Sequence, residues 1–246
     1  MTMSDVAAPA APGTGSKNLV TRFVGVLTAP RETFADVVAN PRWLGMAALV
    51  LIVTAICTGG FFATEVGQTA WLDNMAERAQ QAGQEIPEAQ WAGMEKMAPY
   101  MGALSAGSVV LFGPLMWLIT AGLLFAVFNA ALGGDSSFKH LFAVVVHSAS
   151  VTVVQQLFVT PLNYMRQSMS SATNLSVFLP MLDESSFMAK LMGTIDLFMV
   201  WQVFILAIGL SVLYRRKTSS IAIGLFVVYG IVAIIIAAVT AGRAGA

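Results

Sequence analysis

His147, Ser148, Thr152, Gln155 and Gln156 lie in one otherwise apolar run that extends from Phe138 to Thr160. On a helix, steps of four put Ser148, Thr152 and Gln156 on one stripe, with His147 and Gln155 at its edge. Imidazole, hydroxyl and amide groups in that pattern have two uses. They can line a path for a small solute or a proton, or they can hydrogen-bond neighbouring helices, each contact being worth roughly 0.6–2 kcal/mol. Polar groups in hydrocarbon are expensive and turn toward protein or a cavity. The pattern favours helix packing, with the path as the alternative. Asp196 sits near the start of another apolar run. A carboxylate there requires a donor or water, and Lys190, Arg166 and the polar stripe are its candidate partners. These six residues are the candidate intramembrane site.

Little else in the chain could do chemistry. His140 and His147 are two helical turns apart, ~10 Å along an axis, too far to share a metal ion. Cys57 is the single cysteine. It reads as a small buried hydrophobe that can build neither an internal disulfide nor a zinc cluster. Methionines recur at helical spacing, at Met94, Met97 and Met101, at Met165 and Met169, and at Met181, Met188 and Met192. Thioethers suit Cu(I), yet with no Cys or His beside them these read as flexible apolar filler. There is no P-loop, dinucleotide fingerprint, HExxH or nucleophile elbow. The sequence predicts a protein that is not an enzyme and holds no cofactor and no metal.

The elements that carry these residues must be membrane helices. Of 246 residues, 57% are hydrophobic and 11% charged, where soluble domains carry roughly 25% charged residues. Mean hydropathy is +0.75. A net charge of zero and the lack of a basic stripe exclude nucleic acid as a partner. Residues 1–16 are rich in Ala, Pro, Gly, Ser and Thr and predict a disordered tail without the apolar core of a signal peptide.

Residues 17–42 have apolar positions at 19, 20, 23, 24 and 27, a helical rhythm that Pro30 interrupts and Phe34, Val37 and Val38 resume. They predict one or two amphipathic helices, lying on the inner membrane surface or packed on the protein's own inner side. Five spans follow within a membrane domain of residues 43–241, at about 43–63, 106–131, 138–160, 191–213 and 221–240, each near the ~20 residues a bilayer requires. Gly113-Pro114 predicts a bend in the second span. Gly102 with Ala106, and Ala103 with Gly107, offer small-residue faces for close helix contact. The outer segments are 64–100 and 162–190. The first is acidic and has two helical stretches separated at Gly83.

Basic residues set the orientation. With the N-terminus inside, eight fall inside (Lys17, Arg22, Arg31, Arg42, Lys139, Arg215, Arg216, Lys217) against five outside (Arg78, Lys96, Arg166, Lys190, Arg243). Arg22, Arg31, Arg215, Arg216 and Lys217 are the expected inner-surface contacts.

Several features resemble a known family. Prolines 30 and 41 precede the first span. Gly133-Gly134 leads to Phe138-Lys139 at the opening of the third span, which closes at Pro161. The fourth span carries Asp196, Phe198, Trp201 and Gly209. Together these resemble the five-span Yip domain family of Ypt/Rab-interacting proteins, in its bacterial branch, over about residues 19–238. The resemblance implies a polytopic membrane protein with a cytosolic N-terminus, located in the bacterial cytoplasmic membrane. Eukaryotic relatives bind lipid-modified small GTPases in vesicle traffic, a role that bacteria lack. His147 and Gln155-Gln156 depart from the family pattern, which has apolar or small residues there.

The expectation is an all-α integral membrane protein with five transmembrane helices, an N-terminal amphipathic interfacial helix and the C-terminus outside. It acts by binding a partner or organising the membrane. A small-solute or ion permease, or a subunit of one, using span three and Asp196 is the alternative. Its partners are the lipid bilayer and either another protein or further copies of the chain.

Overall fold

A computed structural model describes residues 17–179, 181–183 and 186–244, with side chains as far as residue 241. The tail expected over 1–16 lies outside the described residues. All regular elements among the described residues are helical. Four helical rods are long and apolar enough to cross a membrane: Leu44–Phe62, Glu88–Ala131, Phe138–Arg166 and Thr218–Ala241. A shorter apolar helix, Leu197–Leu213, stands among them.

The first two helices are α1 (Leu19–Thr28) and α2 (Pro30–Ala39). Asn18 starts α1 by accepting a bond from the Thr21 amide at 2.8 Å. Pro30 takes the first position of α2, where its missing N–H costs nothing. The two helices fold back on each other, with Gly25 so close to Thr33 that a Cβ would collide with its hydroxyl. α3 (Leu44–Phe62) is the first long rod. Outside the bundle come α4 (Glu65–Gln81) and α5 (Glu88–Met97), parted at Gly83 with φ +63°. α6 (Met101–Phe125) continues α5 through a 3₁₀ turn and ends in a π-helical turn, Ala126–Ala131.

The rod made of α7 (Phe138–Ser148) and α8 (Ser150–Arg166) is the axis of the bundle. Of its apolar stretch 61% is buried, against 6% for the α5–α6 rod. Two buried clusters flank it. One gathers Val26, Phe34 and Val37 with Leu141, Val144, Val151, Ile205 and Leu210. The other gathers Met46 and Val50 with Ala121, Val146 and Val153. α9 (Phe187–Thr194), α10 (Leu197–Leu213) and α11 (Thr218–Ala244) complete the chain.

Two placements were open for the N-terminal segment, and the structure shows its helices packed on the protein. The α1–α2 hairpin packs into the bundle against α7 and α10, and α1 also meets α3 and α8. Phe34 is fully buried, and its ring and Val144 crowd Gly209 so closely that a Cβ there would meet Val144 Cγ1 at 2.6 Å. The helix that carries the third span continues past Pro161. It runs on to Arg166, where Gln167 turns it off in the left-handed region at φ +51°. The fourth stretch, 191–213, is two helices, because Ile195 and Asp196 are extended and pair with a loop strand at Asn174.

The rods α3 and α6 meet through small residues. A Cβ on Gly102 would lie 2.9 Å from Gly59 O and 3.0 Å from Ala63, and one on Gly59 would lie 2.9 Å from the Ala106 methyl. So Gly102 and Ala106 serve the close contact that the sequence suggested, whereas Gly107 faces open space. Gly102→Val is expected to destabilise the protein by about 1–3 kcal/mol through overpacking. Gly107→Val should be close to neutral, and thermal unfolding in detergent measures both.

Candidate functional site

The six candidate residues of the membrane interior occupy different neighbourhoods. His147 ends α7, fully buried. Its Nδ1 lies 2.7 Å from Ala143 O. A carbonyl only accepts, so the proton is on Nδ1 and Nε2 is left as an acceptor. Nε2 makes no hydrogen bond within the chain. Ser148 Oγ donates to Val144 O at 2.8 Å, and Ser150 Oγ donates to His147 O at 2.7 Å. These side chains occupy carbonyls where the rod is interrupted at Ala149, between α7 and α8. Such back-bonding bends helices.

Farther along, the polar groups point to other helices. Thr152 Oγ1 donates to Gln202 Oε1 of α10 at 3.4 Å. Gln155 Nε2 donates to Asp196 Oδ1 at 3.4 Å, whereas Gln156 Oε1 accepts from Thr160 on its own helix at 3.2 Å. Gln155 and Asp196 are thus brought together. His147, Ser148 and Gln156 join no common site with them.

Asp196 is a helix cap. Its Oδ1 accepts from the amides of Phe198 at 2.8 Å and Met199 at 3.2 Å, satisfying donors that the first turn of α10 leaves open. Its Oδ2 accepts from Thr173 at 2.5 Å and Ser171 at 3.3 Å. Leu197 N donates to Thr173 O and Leu175 N donates to Ile195 O, so the loop lies against the cap as a short antiparallel pair. The Asp196 amide donates to the Tyr229 hydroxyl at 3.3 Å, which donates to Thr194 O at 3.1 Å. The carboxylate is fully occupied by donors, with neither Lys190 nor Arg166 among them. Lys190 bonds Gln81 at 2.9 Å and Arg166 bonds Ser170 at 3.3 Å.

An ion pair that the sequence reading did not foresee ties the hairpin to the start of α3. Arg22, expected at the inner surface, is only 3% exposed. Its Nε donates to Asp36 Oδ2 at 2.8 Å. Its Nη2 donates to Asn40 O at 3.0 Å and its Nη1 to Arg42 O at 3.4 Å. A guanidinium offers five donors in a fixed fork, and here the fork spans a carboxylate and two chain-turn carbonyls. This is why the charge can be buried, and why it is unavailable to headgroups. The opposite face of α1 presents Val20, 70% exposed, and Val24, 48% exposed. Asp36, placed opposite Arg22 by a hairpin folded at Pro30, was the available signal.

The other expected surface cations, Arg31, Arg215, Arg216 and Lys217, are exposed. Arg216 Nη2 also donates to Leu132 O at 2.8 Å, linking the α10–α11 turn to the α6–α7 turn. Tyr214 strengthens that link. Its ring stacks on Phe128 at 4.8 Å, and its hydroxyl donates to Asn129 Oδ1 at 2.6 Å. Burial raises the phenol above its ordinary value, so it remains a donor. Gly134 lies against both, since a Cβ there would meet the Tyr214 ring and Phe128 O at 2.7 Å. Gly133, at φ +68°, makes the preceding turn.

Arg22→Ala would leave the largely buried Asp36 with only the Lys17 amide as a donor, and a loss of about 1–3 kcal/mol is expected. Replacing both, as Arg22→Met with Asp36→Leu, should recover most of that loss. Asp196→Ala is expected to cost about 1–2 kcal/mol as a lost cap. Chemical denaturation in detergent micelles reads all of these changes.

A family model described as the Yip1 domain matches residues 24–240. No curated protein and no solved structure matches the chain.

Proposed function

The chain belongs to the Yip1 domain family, and from that premise we propose that it acts without catalysis, by binding a partner or organising the membrane around it. It is a polytopic membrane protein with four long apolar helices. In our reading α10 is a fifth span, the N-terminus and the Gly133 and Arg215 turns face the cytosol of a bacterium, and the C-terminus faces outward. At 17 residues, α10 is ~25 Å long by its rise. It enters the membrane from a loop that the Asp196 cap holds at its end.

One observation carries this reading. Among the described residues, the polar side chains of span three make hydrogen bonds to their own helix or to an immediate neighbour. Two open grooves line the surface, one of Ile56, Cys57, Gly60, Pro161 and Tyr164 and the other around Trp71 and Met94. None of the six candidate residues lines either. The exposed chemistry is instead the charge at the turns, Arg31, Lys139, Arg215 and Lys217, which suits acidic protein segments or anionic lipid.

In sealed vesicles the protein is expected to leave solute and proton gradients unchanged. After mild extraction it should co-purify with a defined protein or anionic lipid. Arg215→Glu with Lys217→Glu should weaken that association about tenfold or more without lowering the melting temperature. A gradient dissipated by wild-type protein and preserved by Gln155→Leu would overturn this reading. Reporters fused at the two termini should fall on opposite sides of the membrane. Finding both on one side would exclude the five-span topology.

A further inference from the structure

Met94, Met97 and Met101 stand on one helical face, at steps of three and four, where α5 continues through the 3₁₀ turn into α6. All three line a single open groove, together with Trp71 of α4, Gln90 and Gly93. We propose that this groove is a binding site for a soft monovalent cation, Cu(I) or Ag(I), held by the three thioethers beside the Trp71 indole.

The chemistry follows from the ligands. Thioether sulfur is neutral and polarizable, and it selects Cu(I) over hard cations such as Mg²⁺ or Ca²⁺, which demand oxygen. Neutral ligands leave the positive charge on the ion. An indole attracts such a charge. The surrounding segment does so as well, since Glu65, Asp73, Glu77, Glu85, Glu88 and Glu95 outnumber Arg78 and Lys96 between residues 64 and 100. On sequence spacing alone these methionines read as apolar filler. Trp71 in the same groove, brought there by a separate helix, makes the difference.

Two further observations fit. Met46 is the one methionine among the buried core residues. Filling the interior is therefore mainly the work of Val, Leu, Ile, Ala and Phe, while the groove methionines remain reachable, with Met97 47% exposed. Gly93 borders open space in the groove, since a Cβ there would meet nothing within 4 Å.

The test uses the full chain in detergent, titrated with silver nitrate, with Cu(I) measured by competition against bicinchoninate. Wild type is expected to take up a cation that quenches tryptophan emission, beside any that the Cys57 thiol holds. Thioethers carry no titratable proton, so the affinity should hold steady between about pH 5 and 8. The triple variant Met94→Leu, Met97→Leu, Met101→Leu keeps apolar volume and should weaken binding about tenfold or more at unchanged elution volume. Gly93→Leu, which adds apolar bulk at a position lining the groove, should do the same. Cys57→Ala should show the same quenching as wild type, because Cys57 lines the other groove with Met165. The proposal fails if wild type takes up no Ag(I), if the triple variant binds as wild type does, or if binding is lost with Cys57→Ala.

Discussion

Hydrocarbon supplies no hydrogen-bond partners, so each polar atom that enters it must find one within the chain. The arrangement of this bundle follows from that constraint. The central rod carries the polar residues of the third span because it is the most enclosed of the long rods. Its carbonyls absorb the hydroxyls of Ser148 and Ser150, and its neighbour α10 receives Thr152. Asp196 avoids exposure to lipid by capping a helix and holding a loop. The constraint is not met everywhere. His147 Nε2 and Thr33 Oγ1 are buried without a hydrogen bond from the chain.

The same reasoning accounts for the hairpin. A charged pair buried in the bundle is weak evidence of stability, because desolvation offsets most of its Coulomb energy. It is stronger evidence of register. Arg22 and Asp36 are 14 residues apart, and a slip of one residue in either helix would separate them and strand both charges. Two carbonyls from the turn into α3 complete the guanidinium's partners. The pair thereby fixes the hairpin to the start of the first long rod as well as to itself. Phe34 can then fill the space that Gly209 leaves open.

Much of this could be read from the sequence, and the exceptions share a cause. Long uncharged runs gave the four rods, because length and hydropathy suffice where lipid is the solvent. Gly83, Gly133 and the Gly102–Ala106 face were also legible as a stop, a turn and a contact. Asp196 reads from the sequence as a carboxylate in need of donors, and only the helix that starts after it shows that the first-turn amides are among them. Pro161 reads as a terminus, yet tertiary packing carries the helix past it. Arg22 sits among apolar residues whose rhythm assigns it to the outer face. Only the partner across the hairpin reverses that, and pairing between helices leaves no trace in local periodicity. At the candidate site, Gln155 and Asp196 were both named from the sequence and lie within hydrogen-bonding distance. Thr173, Ser171, Gln202 and Tyr229 were illegible for the same reason, since each acts from another segment.

The uneven placement of methionine has a chemical consequence of another kind. Peroxide converts thioethers to sulfoxides in the order in which it reaches them, turning a flexible apolar side chain into a polar one. Met181 at 84% exposed and Met165 at 72% stand first in that order, and Met46 at 0% stands last. Oxidative damage would thus accumulate at the rim remote from the Gly133 turn and spare the packing around the central rod. Thioethers there would consume peroxide, each passing to a sulfoxide with release of water, before the interior is touched.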